Sequence, residues 1–237
     1  MEKKEEFITL NINSSKIVII LLSIVTVLVL ASVITQSIRF HFVDPELNRF
    51  SCFNLDEEAN IPTYFSTMIL FFSAILLGII SLFKKKEHDP YCIHWTILSL
   101  IFVVMSVDEA AAVHEKTIGP LRTLLSTGGF FHYAWIIPGA IFFSVVAIMF
   151  FKFWLHLEYR IRILFFLAAA CYIFGAIGLE GIGGYYVDAN IEIDFTYILI
   201  TTAEETLELI GIVLFIYALL RYLVLSFQKA CIRLTFL

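Results

Sequence analysis

Six long apolar stretches, separated by short polar ones, set the pattern of this chain. They fall at about residues 15–38, 62–83, 91–116, 132–155, 163–186 and 195–227. Each is long enough to cross a hydrocarbon core as a helix, which takes about 20 residues. The breaks carry helix punctuation. Asn60 stands where a cap belongs, with Pro62 in the first turn after it. Lys84-Lys85-Lys86 closes the second stretch, and Asp89-Pro90 precedes the third. Gly119-Pro120 is the expected end of the third stretch, and Gly128-Gly129 precedes the fourth. Charges at Glu158–Arg162 part the fourth from the fifth, and an acidic loop over 187–194 precedes the sixth. The expected fold is all-α: one membrane domain over 1–237, a polytopic bundle of about six transmembrane helices.

Composition agrees. Hydrophobic residues make up 60% of the chain, against about 45–50% in soluble domains, and the mean hydropathy is +0.90. Lipid has to solvate most of that surface. The run at 17–34 exceeds the roughly 7–15 residues of a cleaved signal core, so it reads as a retained first helix. The four cysteines, Cys52, Cys92, Cys171 and Cys231, form no CxxC pair and fit no zinc or haem spacing. They read as small apolar residues, and no structural disulfide is expected. No basic patch or stripe suggests nucleic acid.

Lysines and arginines set the expected orientation. With the N-terminus inside, Arg39, Arg49, Lys116 and Arg122 fall outside, and the other twelve of the sixteen fall inside. Both termini are therefore expected in the cytoplasm, and the localisation that fits is a bacterial cytoplasmic membrane. No internal repeat is visible, so an inverted-repeat transporter has no support.

The acidic residues change the picture most. An ionisable group inside a spanning helix costs about 2.5–3.5 kcal/mol on insertion scales. The third stretch nevertheless carries Asp108, Glu109, His114 and Glu115 around three alanines, the fifth carries Glu180 among four glycines, and the sixth carries Glu204, Glu205 and Glu208. On one continuous helix, Asp108 and Glu115 lie only about 20° apart around the axis. Glu204 and Glu208 are i,i+4 neighbours, and Glu205 and Glu208 are i,i+3 neighbours, so all three share a face. Asp108 and Glu180 lie about 25 Å from the inner edge and Glu204 roughly 13 Å below the outer one. These levels meet in the outer half of the membrane, where Asp56, Glu57 and Glu58 also arrive from the loop before the second helix. The inner halves, residues 96–104, 163–174 and 211–220, are almost wholly apolar.

A set of carboxylates with one imidazole is the ligand chemistry of a hard or borderline divalent cation: iron, manganese or zinc, with calcium also possible. Asp108, His114, Glu115, Glu204 and Glu208 are the expected ligands. Glu180, Glu205 and Glu109 are the expected proton carriers or supporting groups of the reaction. Plainer roles exist for each feature. Buried acids can be interhelical hydrogen-bond partners, Glu57 and Glu58 can be a favourable acidic first turn, and the glycines around Glu180 can simply allow close packing. Tyr133, Trp135, Tyr185 and Tyr186 read as interface-belt aromatics, and Asp188, Glu192 and Asp194 as solvated loop charges. His41 and His132 carry no expected role.

The resemblance to ferritin-like di-metal carboxylate proteins is one of ligand type, since their paired Glu-x-x-His spacing is absent, as is the H-E-x-x-H zinc motif. The run Asn54-Leu55-Asp56-Glu57-Glu58-Ala59-Asn60-Ile61-Pro62-Thr63, with Asp108-Glu109-Ala110, His114-Glu115 and Glu205-Thr206-Leu207-Glu208, resembles a group of small, functionally unassigned bacterial multi-pass membrane proteins. That resemblance implies a membrane bundle and brings no activity with it.

The expected function is a metal-dependent membrane enzyme, a hydrolase or oxidoreductase, acting on a lipid-like substrate among the membrane lipids. Two other readings use the same residues: a proton- or cation-coupled transporter, and a structural or sensory protein clamped by a cation. The apolar inner halves favour a site open to one side over a conducting path, which needs polar stations throughout.

Overall fold

The computed structural model describes residues 13–42, 52–190 and 194–227. Lys3, Lys4, Arg49, Glu192, Lys229, Cys231, Arg233 and the side chain of His41 lie outside the described residues, as does the tail after 227. The helices are α1 (Ser14–Phe42), α2 (Ile61–Lys86), α3 (Cys92–Ala111), α4 (Val113–Leu125), α5 (Ile136–His156), α6 (Tyr159–Ile173), α7 (Glu180–Ala189) and α8 (Phe195–Phe227). A π-helical stretch, Phe174–Leu179, joins α6 to α7, so Tyr159–Ala189 is one continuous span. Among the described residues six helical spans are long and apolar enough to cross a membrane.

α8 is the axis of the bundle. Leu209, Ile212, Val213, Ile216, Leu219 and Leu220 are almost completely buried, and α1, α2 and α6 pack around it. Trp95 closes this core at the far end, edge-on to Phe153 at 4.8 Å and against Tyr222 at 4.7 Å. The outward faces are apolar as well: Ile19, Val27, Val104 and Ile148 are exposed. A helix apolar all round belongs in lipid. Lipid tails are as apolar as leucine, so burial alone does not drive these helices together; close packing and interhelical hydrogen bonds do. Two glycines serve that packing. A Cβ on Gly175 would stand 2.9 Å from the Glu204 carbonyl oxygen, and one on Gly211 would stand 2.8 Å from the Tyr172 nitrogen.

The third and fourth stretches differ from the sequence reading, and both differences matter for the site. The third stretch, expected as one helix over 91–116, breaks at Ala112, which takes a left-handed conformation (φ 49°, ψ 46°). That costs an alanine about 1–2 kcal/mol. Asp108 offsets it by accepting the His114 backbone N–H at 3.1 Å, as a capping carboxylate does at a helix start. The 20° phase relation between Asp108 and Glu115 assumed an unbroken helix and does not hold. The chain also does not stop at Gly119-Pro120: α4 runs through Pro120 to Leu125. None of its residues is buried, so the carbonyl that Pro120 leaves without a donor is not sealed away. The fourth span begins at Ile136 because Gly129–Phe131 forms a separate 3-10 turn.

The segment before α2 is tied down from both sides. Asn60 caps α2, its side chain accepting from the Thr63 N–H at 3.0 Å, and Pro62 sits in the first turn. Ser32 of α1 accepts from the Leu55 N–H at 3.1 Å, Gln36 donates to Asn54, and Arg39 pairs with Glu57 at 3.0 Å. Asp56 and Glu58 are thereby held over the end of the bundle.

α2 and α3 are held by hydroxyls that reach backbone carbonyls across the interface. Ser99 donates to Ala74 O at 2.8 Å and Ser106 to Thr67 O at 3.0 Å. Such bonds average about 0.6 kcal/mol in a membrane bundle. Replacing both serines by alanine is therefore expected to lower stability by about 1 kcal/mol, read as a reduced midpoint in controlled detergent denaturation. No change would remove these bonds from the account of α2–α3 pairing.

Candidate functional site

The end of the bundle that carries segment 52–60, α4, the end of α7 and the start of α8 contains a cavity of about 420 Å³. Five parts of the chain contribute acids or an imidazole. Segment 52–60 brings Asp56 and Glu58, α3 brings Asp108 and Glu109, α4 brings His114 and Glu115, α7 brings Glu180, and α8 brings Glu204, Glu205 and Glu208 from the turns just before its buried apolar stretch. All eight residues singled out from sequence line this one space. Asp56 and Glu58 join them, giving nine carboxylates and a single imidazole. Among the described residues no lysine or arginine lines it.

The break at Ala112 organises one wall. Asp108 Oδ2 meets His114 Nδ1 at 2.8 Å while Oδ1 takes the His114 N–H. Both oxygens of Asp108 are thus engaged by one histidine. The imidazole is further held against the Trp135 ring, 5.0 Å between centroids, and the Trp135 indole donates to Glu180. Tyr133 and Tyr197 join hydroxyls at 2.8 Å. The sequence reading placed Tyr133 and Trp135 in an interface belt; both instead line the cavity and fix its polar groups. The local signal was available, since a tryptophan has an N–H that needs an acceptor when buried, but only the fold shows that Glu180 supplies it.

Within the cavity, Glu58, His114 and Glu115 each offer one ligand atom, all within 4.8 Å of one another. Glu58 Oε2 is buried without a hydrogen-bond partner. A buried carboxylate oxygen left unpaired is costly, so this atom lacks the partner its position demands. Glu58 was read from sequence as a first-turn acid of α2 and was not among the expected ligands.

The groups beside the membrane spans show how strained this charge is. Burial pushes the Asp56 carboxyl up to about 7, and Glu115 and Glu57 push in the same direction. Burial, Glu109 and Glu115 raise Glu58 to about 7, with His114 pulling the other way. For His114, burial alone favours the neutral ring, but the hydrogen bond and charge of Asp108, helped by Glu180 and Glu109, outweigh it and raise the imidazole to about 9.

A separate cluster fixes the loop between α4 and α5. Asp188 of α7 accepts from the Gly129 N–H at 2.7 Å and meets His132 Nδ1 at 3.1 Å and Arg122 at 3.4 Å. Asp188, read as a solvated charge, is a tether that holds the Tyr133–Trp135 segment over the cavity.

The comparison with known families is brief. A family model for a domain of unknown function, DUF8692, matches residues 18–223. The chain belongs to the DUF8692 family. The match covers every described membrane span at least in part, so the bundle and its acidic cavity lie within the domain. No curated protein and no solved structure matches the chain.

The three raised groups predict a pH dependence. Each holds its proton more tightly in the folded protein than its ordinary value of 3.8, 4.5 or 6.5 would allow. Their contribution to stability is therefore present below those values and is lost as pH rises through about 7 for Asp56 and Glu58 and about 9 for His114. Chelator-treated protein in detergent should lose thermal stability steadily from about pH 4 to about pH 9, and Asp56→Asn should flatten the lower part of that fall. A profile that is flat or rises with pH would contradict the crowding of unneutralised carboxylates.

Proposed function

We propose that this protein is a metal-dependent membrane enzyme whose acidic cavity holds a divalent cation and processes a lipid-like substrate. The observation that carries the proposal is the convergence of the Glu58, His114 and Glu115 ligand atoms within 4.8 Å of one another, in a cavity with nine carboxylates and no lysine or arginine among its described lining residues. Such a set has to be neutralised by protons, by metal or by both. The mix of carboxylate oxygen and imidazole nitrogen suits iron, manganese or zinc.

The ligand set proposed here is His114, Glu115 and Glu58, with Glu204 and Glu208 on the facing helix completing it. Asp108 takes a different part from the one expected of it. Its oxygen occupies His114 Nδ1, which leaves Nε2 for the cation, the arrangement by which a carboxylate orients a metal-bound histidine. Glu109, Glu180 and Glu205 lie on the same walls and are suited to accept or return the proton of the reaction. A bound ion would supply Lewis-acid polarisation or an activated water. The size of the cavity favours an enzyme over a cation clamp, since a space of about 420 Å³ falls within the range of small-molecule sites, about 300–1,000 Å³, and exceeds what one ion needs.

The transport reading is weakened by what lies beyond the cavity. From Leu209 to Leu220, α8 buries apolar side chains in a continuous core, and among the described residues of that stretch α8 carries no ionisable side chain but the Tyr217 phenol. By the distribution of lysine and arginine, the cavity opens to the outer side of a bacterial cytoplasmic membrane, with Lys84–Lys86 inside. Cysteine-accessibility labelling at Lys85 and Thr127 should find the second exposed outside and the first protected; the reverse would turn the site toward the cytoplasm.

Elemental analysis of detergent-purified protein is expected to find a first-row transition metal in stoichiometric amount. His114→Ala and Glu115→Gln should each abolish retention through desalting. Asp108→Asn, which spares the proposed ligands and weakens the hold on the imidazole, should weaken affinity about 10–100-fold. Wild-type protein without stoichiometric metal, even after reconstitution, would sink the metal reading and leave the carboxylates as proton carriers.

A further inference from the structure

Beside the acidic cavity lies a second one of about 200 Å³ with the opposite chemistry. Its walls include Leu98 and Phe102 of α3, Val146 and Ala147 of α5, Ala168 of α6 and Phe215 of α8, and Tyr172 supplies the only hydroxyl among its described lining residues. The two spaces are neighbours in a strict sense: Ile101, Met105, Phe142, Phe143 and Tyr172 line both. One end of the apolar groove therefore meets the carboxylates. From there it follows α3 from Asp108 back to Leu98, about 15 Å, and α8 from Glu208 to Phe215, about 10 Å, toward the middle of the bundle.

The groove is also open sideways. α3 and α5 meet at the far end, where His94 and Trp95 pack on Phe153; nearer the acidic cavity, Leu98, Phe102, Val146 and Ala147 of the two helices line the groove instead. Phe142 and Ala147 are exposed there. In a bilayer the medium at that opening is hydrocarbon, and a trough with apolar walls is filled by hydrocarbon and not by water. A polar cavity at one end of such a trough gives the whole space the shape and polarity of an amphiphile.

We infer that this groove seats one hydrocarbon chain of a membrane amphiphile, which slides in between α3 and α5 and delivers its polar head to the carboxylate cavity. The inference rests on the membrane-enzyme reading and specifies how the substrate of that enzyme is held. The head group has to be neutral, cationic or metal-bridged, because nine carboxylates repel a free anion. Phe142 and Phe143, which line both spaces, stand at the junction of head and chain.

The test uses a monoacylglycerol with a mid-chain diazirine, in phosphatidylcholine nanodiscs that hold the full chain. Its head is neutral, so the carboxylates do not exclude it. After photolysis, mass-spectrometric mapping should place adducts on Phe102, Val146 and Phe215 at several times the yield on Ile148, which is 76% exposed and reports ordinary lipid contact. Ala147→Trp, which fills the groove, should cut the groove adducts at least fivefold and leave those at Ile148 unchanged. Val146→Phe is the second blocking variant should Ala147→Trp not give folded protein. Adducts no denser in the groove than at Ile148, or groove adducts that survive both blocking substitutions, would overturn the inference. Metal content, measured on the same preparations, separates the two claims. Groove labelling in a protein that holds no metal keeps the chain site and ends the enzyme reading; stoichiometric metal without groove labelling does the opposite.

Discussion

Nine carboxylates facing one cavity at the end of a lipid-embedded bundle are the constraint to which the rest of the structure answers. Among its described lining residues one imidazole shares that space with them. Each acid placed in a spanning helix costs a few kcal/mol, and their mutual repulsion raises the cost further. A fold keeps such an arrangement only where something holds it together. Part of that hold is visible as packing. α8 presents Glu204, Glu205 and Glu208 at the mouth of an otherwise apolar helix, and its lower two-thirds is locked among α1, α2 and α6. Gly175 lets the π-helical stretch come against the same turn of α8, where any side chain would collide with the Glu204 carbonyl. π-helical turns inside α-helices often mark functional positions, and here the stretch ends at Leu179, directly before Glu180.

The other part of the hold is a set of polar tethers around the cavity. Asp108 binds His114 through two contacts, Trp135 binds Glu180, Asp188 gathers Gly129, His132 and Arg122, and Ser32 with Gln36 pins the segment that carries Asp56 and Glu58. These contacts spend the polar groups around the rim on one another. They leave Glu58 Oε2 buried without a partner beside His114 and Glu115, and a cation placed among those three is the simplest partner for it.

The apolar groove gives this polar end its context. A soluble enzyme closes its site with loops; a membrane enzyme can leave one wall open to lipid, because the solvent there is itself apolar. The open apolar groove between α3 and α5 would be a defect in a water-soluble bundle. In a bilayer it would serve as the proposed side door, and it adjoins the carboxylates, with whose cavity it shares five lining residues.

The hydrophobic pattern by itself determined the helical membrane architecture, because about 20 apolar residues have essentially one stable form in hydrocarbon. It also marked the acids as functional candidates, since charge in a spanning stretch is rare enough to stand out without a partner in view. Counting along the helices brought Asp108, Glu180 and Glu204 to a common depth, for depth depends only on rise per residue. What required the tertiary structure was everything that depends on direction. The turn at Ala112, held by two contacts from Asp108 to His114, replaced the calculated helical phase of Glu115. Glu58 became a candidate ligand only when α1 pinned its loop over the cavity, and Trp135 became part of the site only when α7 placed Glu180 beside it. Periodicity reports which face of a helix is apolar; which polar atoms meet across helices is fixed by crossing, spacing and loop tethers, and a single sequence carries no record of those.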